Sequence, residues 1–234
     1  MAHAVETMAY AGEVPWHGLG KEVLPDLTPE QMLYEAGLDW SVSKIPAFAE
    51  VNGEKVAVGK SALVRSSDSK VLDVVGDDWN PVQNAEAFGF FADFVGEGNM
   101  EMHTAGSLNG GKMEWALAKV KDESFELFGE DRIDSYLLFS NPHMYGKSID
   151  VRFTPIRVVC NNTLTLSLGK GSKNSVKVSH RTQFNAEQVK ETMGIASSKL
   201  NQYKEMSQYI SSKRFTEETK TEYLERLFPI NGEG

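Results

Sequence analysis

Cysteine is almost missing from this chain: Cys160 is the only one in 234 residues. An internal disulfide is thereby excluded, and a reducing cytoplasm is the expected compartment. Long apolar runs are missing as well, so no membrane span is expected. The opening residues, MAHAVETMAYAGEV, have no basic head followed by an apolar stretch and do not read as a secretory signal. Internal repeats and low-complexity linkers are not seen. The five histidines form no ligand pattern with a single cysteine, so neither a metal nor another cofactor is expected. Positive charge is in short supply, with 24 Lys and Arg against 33 Asp and Glu and a net charge of −9. That balance argues against indiscriminate coating of nucleic acid.

What is present is an ordinary globular composition, 41% hydrophobic and 24% charged, in a length that suits one domain with a helical appendage. The expected division is a core at 1–182 and a helical segment at 183–234, packed on the core or on another subunit. Thr28-Pro29-Glu30-Gln31 reads as a capping box with proline in the first turn, and Gly37 as a stop. From Asp39 to Val75 the apolar period is two, with Asn52-Gly53 as a hairpin turn, which predicts an antiparallel meander. Asn84 is expected to cap a helix to Val95, with its phenylalanines facing the core rather than a ligand.

Met100 to Val120 reads as a second hairpin around Asn109-Gly110-Gly111. A strand pair follows at 135–139 and 148–153. In its second strand Ile149, Val151 and Phe153 share one face, so Arg152 should point to solvent or a partner. A helix is predicted from Thr154 to Gly169, with Cys160 on its apolar side. A short strand at 176–179 precedes the longest helix, where Val189, Met193, Ala196, Leu200, Tyr203 and Ile210 keep a 4-3-4-3 spacing suited to self-association. A second helix near Thr216 completes a helical hairpin. The fold class expected is α+β: an antiparallel sheet of hairpins and a meander, helices on one face, and the C-terminal helical hairpin.

Charge is distributed unevenly. Between Asn141 and Thr182 seven basic residues face one acid, Asp150, a local charge of +6; the remainder of the chain carries −15. Such asymmetry fits a surface built for a polyanion. The same window holds Arg157-Val158-Val159-Cys160-Asn161-Asn162-Thr163-Leu164, the densest polar pattern of the chain. Cys160 with His180 and a neighbouring asparagine has the residue types of a thiol protease. A small sulfur on an apolar helix face reads more simply as core. No catalytic residue is expected, and the chain is read as no enzyme.

Four segments carry a resemblance: Pro15-Trp16-His17-Gly18-Leu19-Gly20; Asn80-Pro81-Val82-Gln83-Asn84; Ala105-Gly106-Ser107 with Gly110, Gly111 and Trp115; and Arg157 to Leu164 with His180. On these the chain resembles a family of phage- and plasmid-encoded proteins of unknown function. The resemblance implies a mobile-element origin and assigns no activity. A meander followed by a helix and a basic segment also looks like the core of Rad52-like phage single-strand annealing proteins, an analogy of fold. The expected function is single-stranded nucleic-acid binding by a homo-oligomer, with strand annealing in recombination as the process it would serve. The expected contacts are Arg152, Arg157, Asn161, Asn162, Lys170, Lys173, Lys177, His180 and Arg181. The competing expectation is a non-enzymatic protein that binds a host or phage protein through its acidic surface.

Overall fold

A computed structural model of the chain describes residues 4–121, 125–127, 131–169 and 175–194. Strand β1 (Val5–Ala11) is followed by β2 (Lys21–Val23) and helix α1 (Pro29–Glu35). Next come β3 (Val42–Val51), β4 (Glu54–Arg65) and β5 (Val71–Val75), then α2 (Asn84–Gly89) and α3 (Ala92–Gly96). The hairpin β6 (Met100–Leu108) and β7 (Met113–Val120) leads through β8 (Phe125–Leu127) and β9 (Asp131–Ile133) to β10 (Tyr136–Pro142) and β11 (Ile149–Thr154). Helix α4 (Asn161–Ser167) and β12 (Ser175–Val178) follow, and residues 186–194 are helical.

Seven strands form the main sheet in the order β12-β11-β10-β7-β6-β1-β2; β3-β4-β5 form a separate meander and β8-β9 a small ribbon. The fold is therefore mainly β, which corrects the α+β expectation. None of α1 to α4 exceeds seven residues. Nor do the helices share one face. Met32 and Leu33 of α1, Phe88 of α2 and Val189 and Met193 of the 186–194 helix join one core. Leu164 of α4 joins the core on the other side of the sheet, with Met8, Tyr10, Trp115, Leu117, Tyr136 and Leu138. The expected pairing of the C-terminal helices involves residues beyond 194, outside the described residues.

Alternation explains how one sheet serves two cores. Along β7, Trp115 and Leu117 enter one core while Ala116 and Ala118 enter the other; along β10, Tyr136 and Leu138 alternate with Leu137 and Phe139 in the same way. The expected sheet, starting near residue 39, misses β1, which lies between β6 and β2 and pairs antiparallel with the first and parallel with the second. The meander, both hairpins and the Thr28 capping box form as expected. Asn52 and Gly53 both take positive φ, the backbone of a tight primed turn, while Asn109, Gly110 and Gly111 do so in the four-residue loop that joins Leu108 to Met113.

Two local expectations are corrected. Gln83, not Asn84, is the N-cap of α2, and the predicted helix to Val95 divides into α2 and α3. Asn84 is buried and donates from Nδ2 to the carbonyls of Leu38 (3.0 Å) and Trp40 (3.2 Å), stitching the helix start to the preceding loop. The predicted helix at 154–169 begins only at Asn161. Upstream, the Val158 carbonyl accepts from Thr104 Oγ1 (2.6 Å), which ties the chain to the sheet instead. The Val159 and Cys160 amides donate to Thr163 Oγ1 (2.9 and 3.0 Å) and so close the helix start. Cys160 is buried as the N-cap residue.

Trp115 lies across Gly106, its cross-strand partner. A Cβ at Gly106 would sit 2.5 Å from Trp115 Cη2 and 2.4 Å from the Thr7 carbonyl oxygen. The indole Nε1 donates to Thr104 Oγ1 (3.2 Å), which fixes the ring over the glycine. Gly106→Ala is expected to destabilise the fold by about 2–3 kcal/mol through overpacking. A denaturation midpoint unchanged from wild type would contradict that contact.

Candidate functional site

The residues expected to form one cationic trough occupy different places. Arg152 is buried, 2% exposed, which corrects its expected orientation toward solvent. It lies on the sheet face that α4 covers. Its Nε donates to Asp150 Oδ1 (2.6 Å) and its Nη1 to the Ser167 carbonyl (2.7 Å). Lys177 is exposed, with Nζ 3.9 Å from the same Asp150 carboxylate. His180 is buried, stacks on Trp79 at 4.0 Å between ring centroids, and pairs through Nδ1 with the Asn80 carbonyl (3.0 Å). Arg181 is exposed and pairs with Asp78 (3.2 Å). Asn161 is half-buried and Asn162 exposed at the start of α4. Lys170 and Lys173 lie outside the described residues.

Two of this group line sizeable grooves: Lys177 borders one of about 420 Å³ between β12 and the 186–194 helix, and Arg157 borders a larger, more polar one. The cavity measures about 490 Å³ and is bounded by Gly12, Glu13, Glu101, His103, Lys119, Asp134, Tyr136 and Arg157, among others. Strand register builds it. Glu101 pairs with Lys119, and Lys119 pairs with Tyr136, so these three side chains form one row across β6, β7 and β10. Between Met102 and Thr104 the β6 register shifts by a bulge, and His103 is the extra residue. A bulge re-aims a side chain and twists its strand locally. His103 stacks on Tyr136 at 5.2 Å and 23°.

Burial shapes the protonation of this pair. The His103 imidazole is lowered from 6.5 to about 4, first by desolvation and then by the charges of Arg157 and Lys119. It is therefore neutral at physiological pH and offers one donor and one acceptor. Burial, with Asp134 second, pushes the Tyr136 hydroxyl up to about 12. Lys119 pairs with Asp134 (2.7 Å). The Arg157 Nη2 donates to the carbonyls of Glu13 (2.6 Å) and Ala11 (3.2 Å), which hold the guanidinium at the wall. Its buried Nε–H has no acceptor among the described residues.

Two segments distinctive in the sequence meet beside this groove. His17 of Pro15–Gly20 pairs through Nε2 with the carbonyl of Val159 (3.0 Å), next to Arg157. The neighbouring Trp16 is 70% exposed. The segment around Asn80 serves a different place. Asn84 meets His143 (3.3 Å), which in turn meets Glu114 Oε2 (2.9 Å), and Asn141 donates to that same oxygen (3.2 Å). Burial pushes the Glu114 carboxyl upward. All four side chains are buried, so this cluster joins elements rather than facing a ligand.

No group of three or more metal-ligating side chains occurs among the described residues. Nor is any helix there long and apolar enough to cross a membrane. Glu101, His103, Lys119 and Tyr136 were not singled out in the sequence. Their only visible signal is polar and aromatic residues at the same end of three apolar strands, and the bulge that selects His103 leaves none.

The architecture defines a class: a mainly β domain whose central sheet is covered on both faces and keeps a polar groove at one end. The family described as Domain of unknown function (DUF932) matches residues 71–233, and the chain belongs to that family. Segment Pro15–Gly20 lies outside the matched region. Neither the curated proteins nor the solved structures contain a match.

Asp150→Ala, which leaves the Arg152 guanidinium buried without its counter-charge, is expected to cost about 3–5 kcal/mol in a denaturant titration. A loss below about 1 kcal/mol, the range of exposed pairs, would contradict the burial. His103 and His180 are both lowered in the folded state, from 6.5 to about 4. The unfolded chain takes up their protons first as pH falls, so stability is full above about 6.5 and is lost progressively toward 4. His103→Asn should shallow that acid limb of melting temperature against pH. An unchanged limb would show that His103 titrates normally.

Proposed function

We propose that this chain is a single-stranded nucleic-acid-binding protein of the kind carried by phages and plasmids, and that the His103–Arg157 groove holds one nucleotide unit. The observation that supports this reading is the composition of the groove. Arg157 and Lys119, the latter already paired with Asp134, supply cations for a phosphate, His103 on Tyr136 supplies a flat neutral ring, and Glu101 and Glu13 supply acceptors for the N–H groups of a base. Bases are commonly held on aromatic rings and guanidinium planes, with hydrogen bonds to their edges. A volume of about 490 Å³ is in the range of small-molecule sites and suits one nucleotide rather than a duplex. The orphan Arg157 Nε–H adds a donor whose acceptor a ligand could supply after a small shift.

This reading moves the contacts from the expected row of basic residues to the strand ends. Arg152 acts as a buried strut beneath α4, and His180 as a packing partner of Trp79. Lys177 and Arg181 contribute only to the field at the sheet edge. Annealing of complementary strands would require several copies to present such grooves side by side.

Fluorescence anisotropy with a short oligothymidine and with the free mononucleotide tests the proposal and separates a strand from a small ligand. Two cations near phosphate predict a slope of log K against log salt of about −1.4. Arg157→Met and Lys119→Ala should each weaken binding roughly tenfold, a loss of about 1.4 kcal/mol. Lys177→Ala should change it little. Equal affinity for the mononucleotide would point to a free nucleotide as the natural ligand. No binding, or binding insensitive to Arg157 and Lys119, would overturn the assignment.

A further inference from the structure

Of the four tryptophans, Trp40, Trp79 and Trp115 lie in the cores, while Trp16 is 70% exposed. Its turn is nevertheless firmly held. The Gly18 amide donates to the Pro15 carbonyl (2.8 Å), which closes a turn with Trp16 and His17 at its centre. The Leu19 amide donates to His17 Nδ1 (3.1 Å), and this leaves the proton on Nε2 to bond the Val159 carbonyl (3.0 Å). Upstream, Arg157 holds the carbonyls of Ala11 and Glu13. Gly12, between them, backs onto the His103 ring: a Cβ there would sit 3.7 Å from His103 Cε1. The loop 11–18 is thus fastened at both ends to residues 157–159, and Arg157 bounds the polar groove. It carries a large flat ring in water on a backbone that is already fixed.

We infer that Trp16 is a second base-stacking position, on which a nucleotide adjoining the one in the groove lays its base. The inference rests on the reading of the His103–Arg157 groove as a nucleotide site. Position supports it. Glu13 lines the groove, and Trp16 follows three residues later. Three residues span at most about 11 Å. A strand held at Arg157 therefore passes the indole within its next nucleotides.

Chemistry supports it as well. Proteins that hold single strands without reading sequence combine cations for the backbone with exposed aromatic rings for successive bases. Arg157 and Lys119 are the cations, and Trp16 supplies the exposed ring. Every base has a flat face, so this ring extends the site along the strand without adding a sequence preference. With the turn already ordered, only the two side-chain torsions of the tryptophan remain to be fixed on binding. Little of the stacking gain is then lost to entropy.

Tryptophan fluorescence of the full chain reads this position directly. The other three indoles are buried, so the emission that acrylamide can reach belongs to Trp16. Thymidine 5′-monophosphate should leave that emission nearly unchanged. The 5′-phosphorylated thymidine trinucleotide should quench it and shield it from acrylamide. The trinucleotide should also bind about tenfold tighter than the monophosphate. Trp16→Ala should remove most of that gain and Trp16→Phe should keep most of it, with thermal melts confirming that each variant folds. A gain that survives Trp16→Ala, or Trp16→Leu as effective as Trp16→Phe, would overturn the stacking role and leave the groove standing. Quenching by the monophosphate alone would place the indole over the groove itself and overturn the second position. Failure of both nucleotides to bind would overturn the groove reading and this inference with it.

Discussion

The central strands β6, β7 and β10 are buried on both faces, and most other features follow from that constraint. A strand sealed on both sides must present apolar groups alternately to two cores, as β7 does with Trp115 and Leu117 against Ala116 and Ala118. The small and large residues are matched: alanines face the crowded side with its phenylalanines, and the indole of Trp115 occupies the space that Gly106 leaves. Most polar groups trapped in such a sheet find partners inside it, although Glu114 Oε1, Asn141 Oδ1 and His143 Nδ1 have none among the described residues. Arg152 therefore takes Asp150 and a helix carbonyl, Thr104 takes the Val158 carbonyl, and Glu114 takes His143 and Asn141.

The same sealing decides where the sheet leaves a groove open. At the end of the sheet where Arg157 crosses above the strands, the row Glu101–Lys119–Tyr136 loses its cover, and the His103 bulge widens the opening. Partial desolvation there holds His103 neutral and Tyr136 protonated, so the groove offers hydrogen-bonding groups of fixed state among the two cations Lys119 and Arg157 and the carboxylates of Glu13, Glu101 and Asp134. Part of the charge asymmetry of the sequence is absorbed by the fold: within the +6 window Arg152 neutralises buried Asp150 and Arg157 holds backbone carbonyls, while Lys147, Lys177 and Arg181 stay exposed.

Legibility in the sequence tracked locality. The Thr28 capping box, the Asn52-Gly53 and Asn109-Gly110 turns and the alternation of Ile149, Val151 and Phe153 are set by neighbouring residues, and each appears where expected. What depends on distant chain was hidden. β1, with its modest strand propensity, is held by β6 and β2 on either side. Arg152 alternated correctly with its apolar neighbours, but nothing local says that α4 covers its face. The 154–169 periodicity suggests a helix, yet Thr104 and His17 claim the carbonyls of Val158 and Val159, and the stretch before Asn161 is irregular rather than helical. Of the groove, Arg157 was legible as a member of a dense polar motif. His103 was not, because a bulge is a property of two paired strands.

In the proposed groove Arg157, Lys119 and His103 act together on one ligand. Amide chemical-shift mapping during titration with a short single-stranded oligonucleotide tests this most directly. The account predicts that the largest shifts fall at Glu101 to Thr104, Lys119, Tyr136 and Arg157. Shifts confined to the surface around Lys177 and Arg181, or none at saturating oligonucleotide, would contradict it.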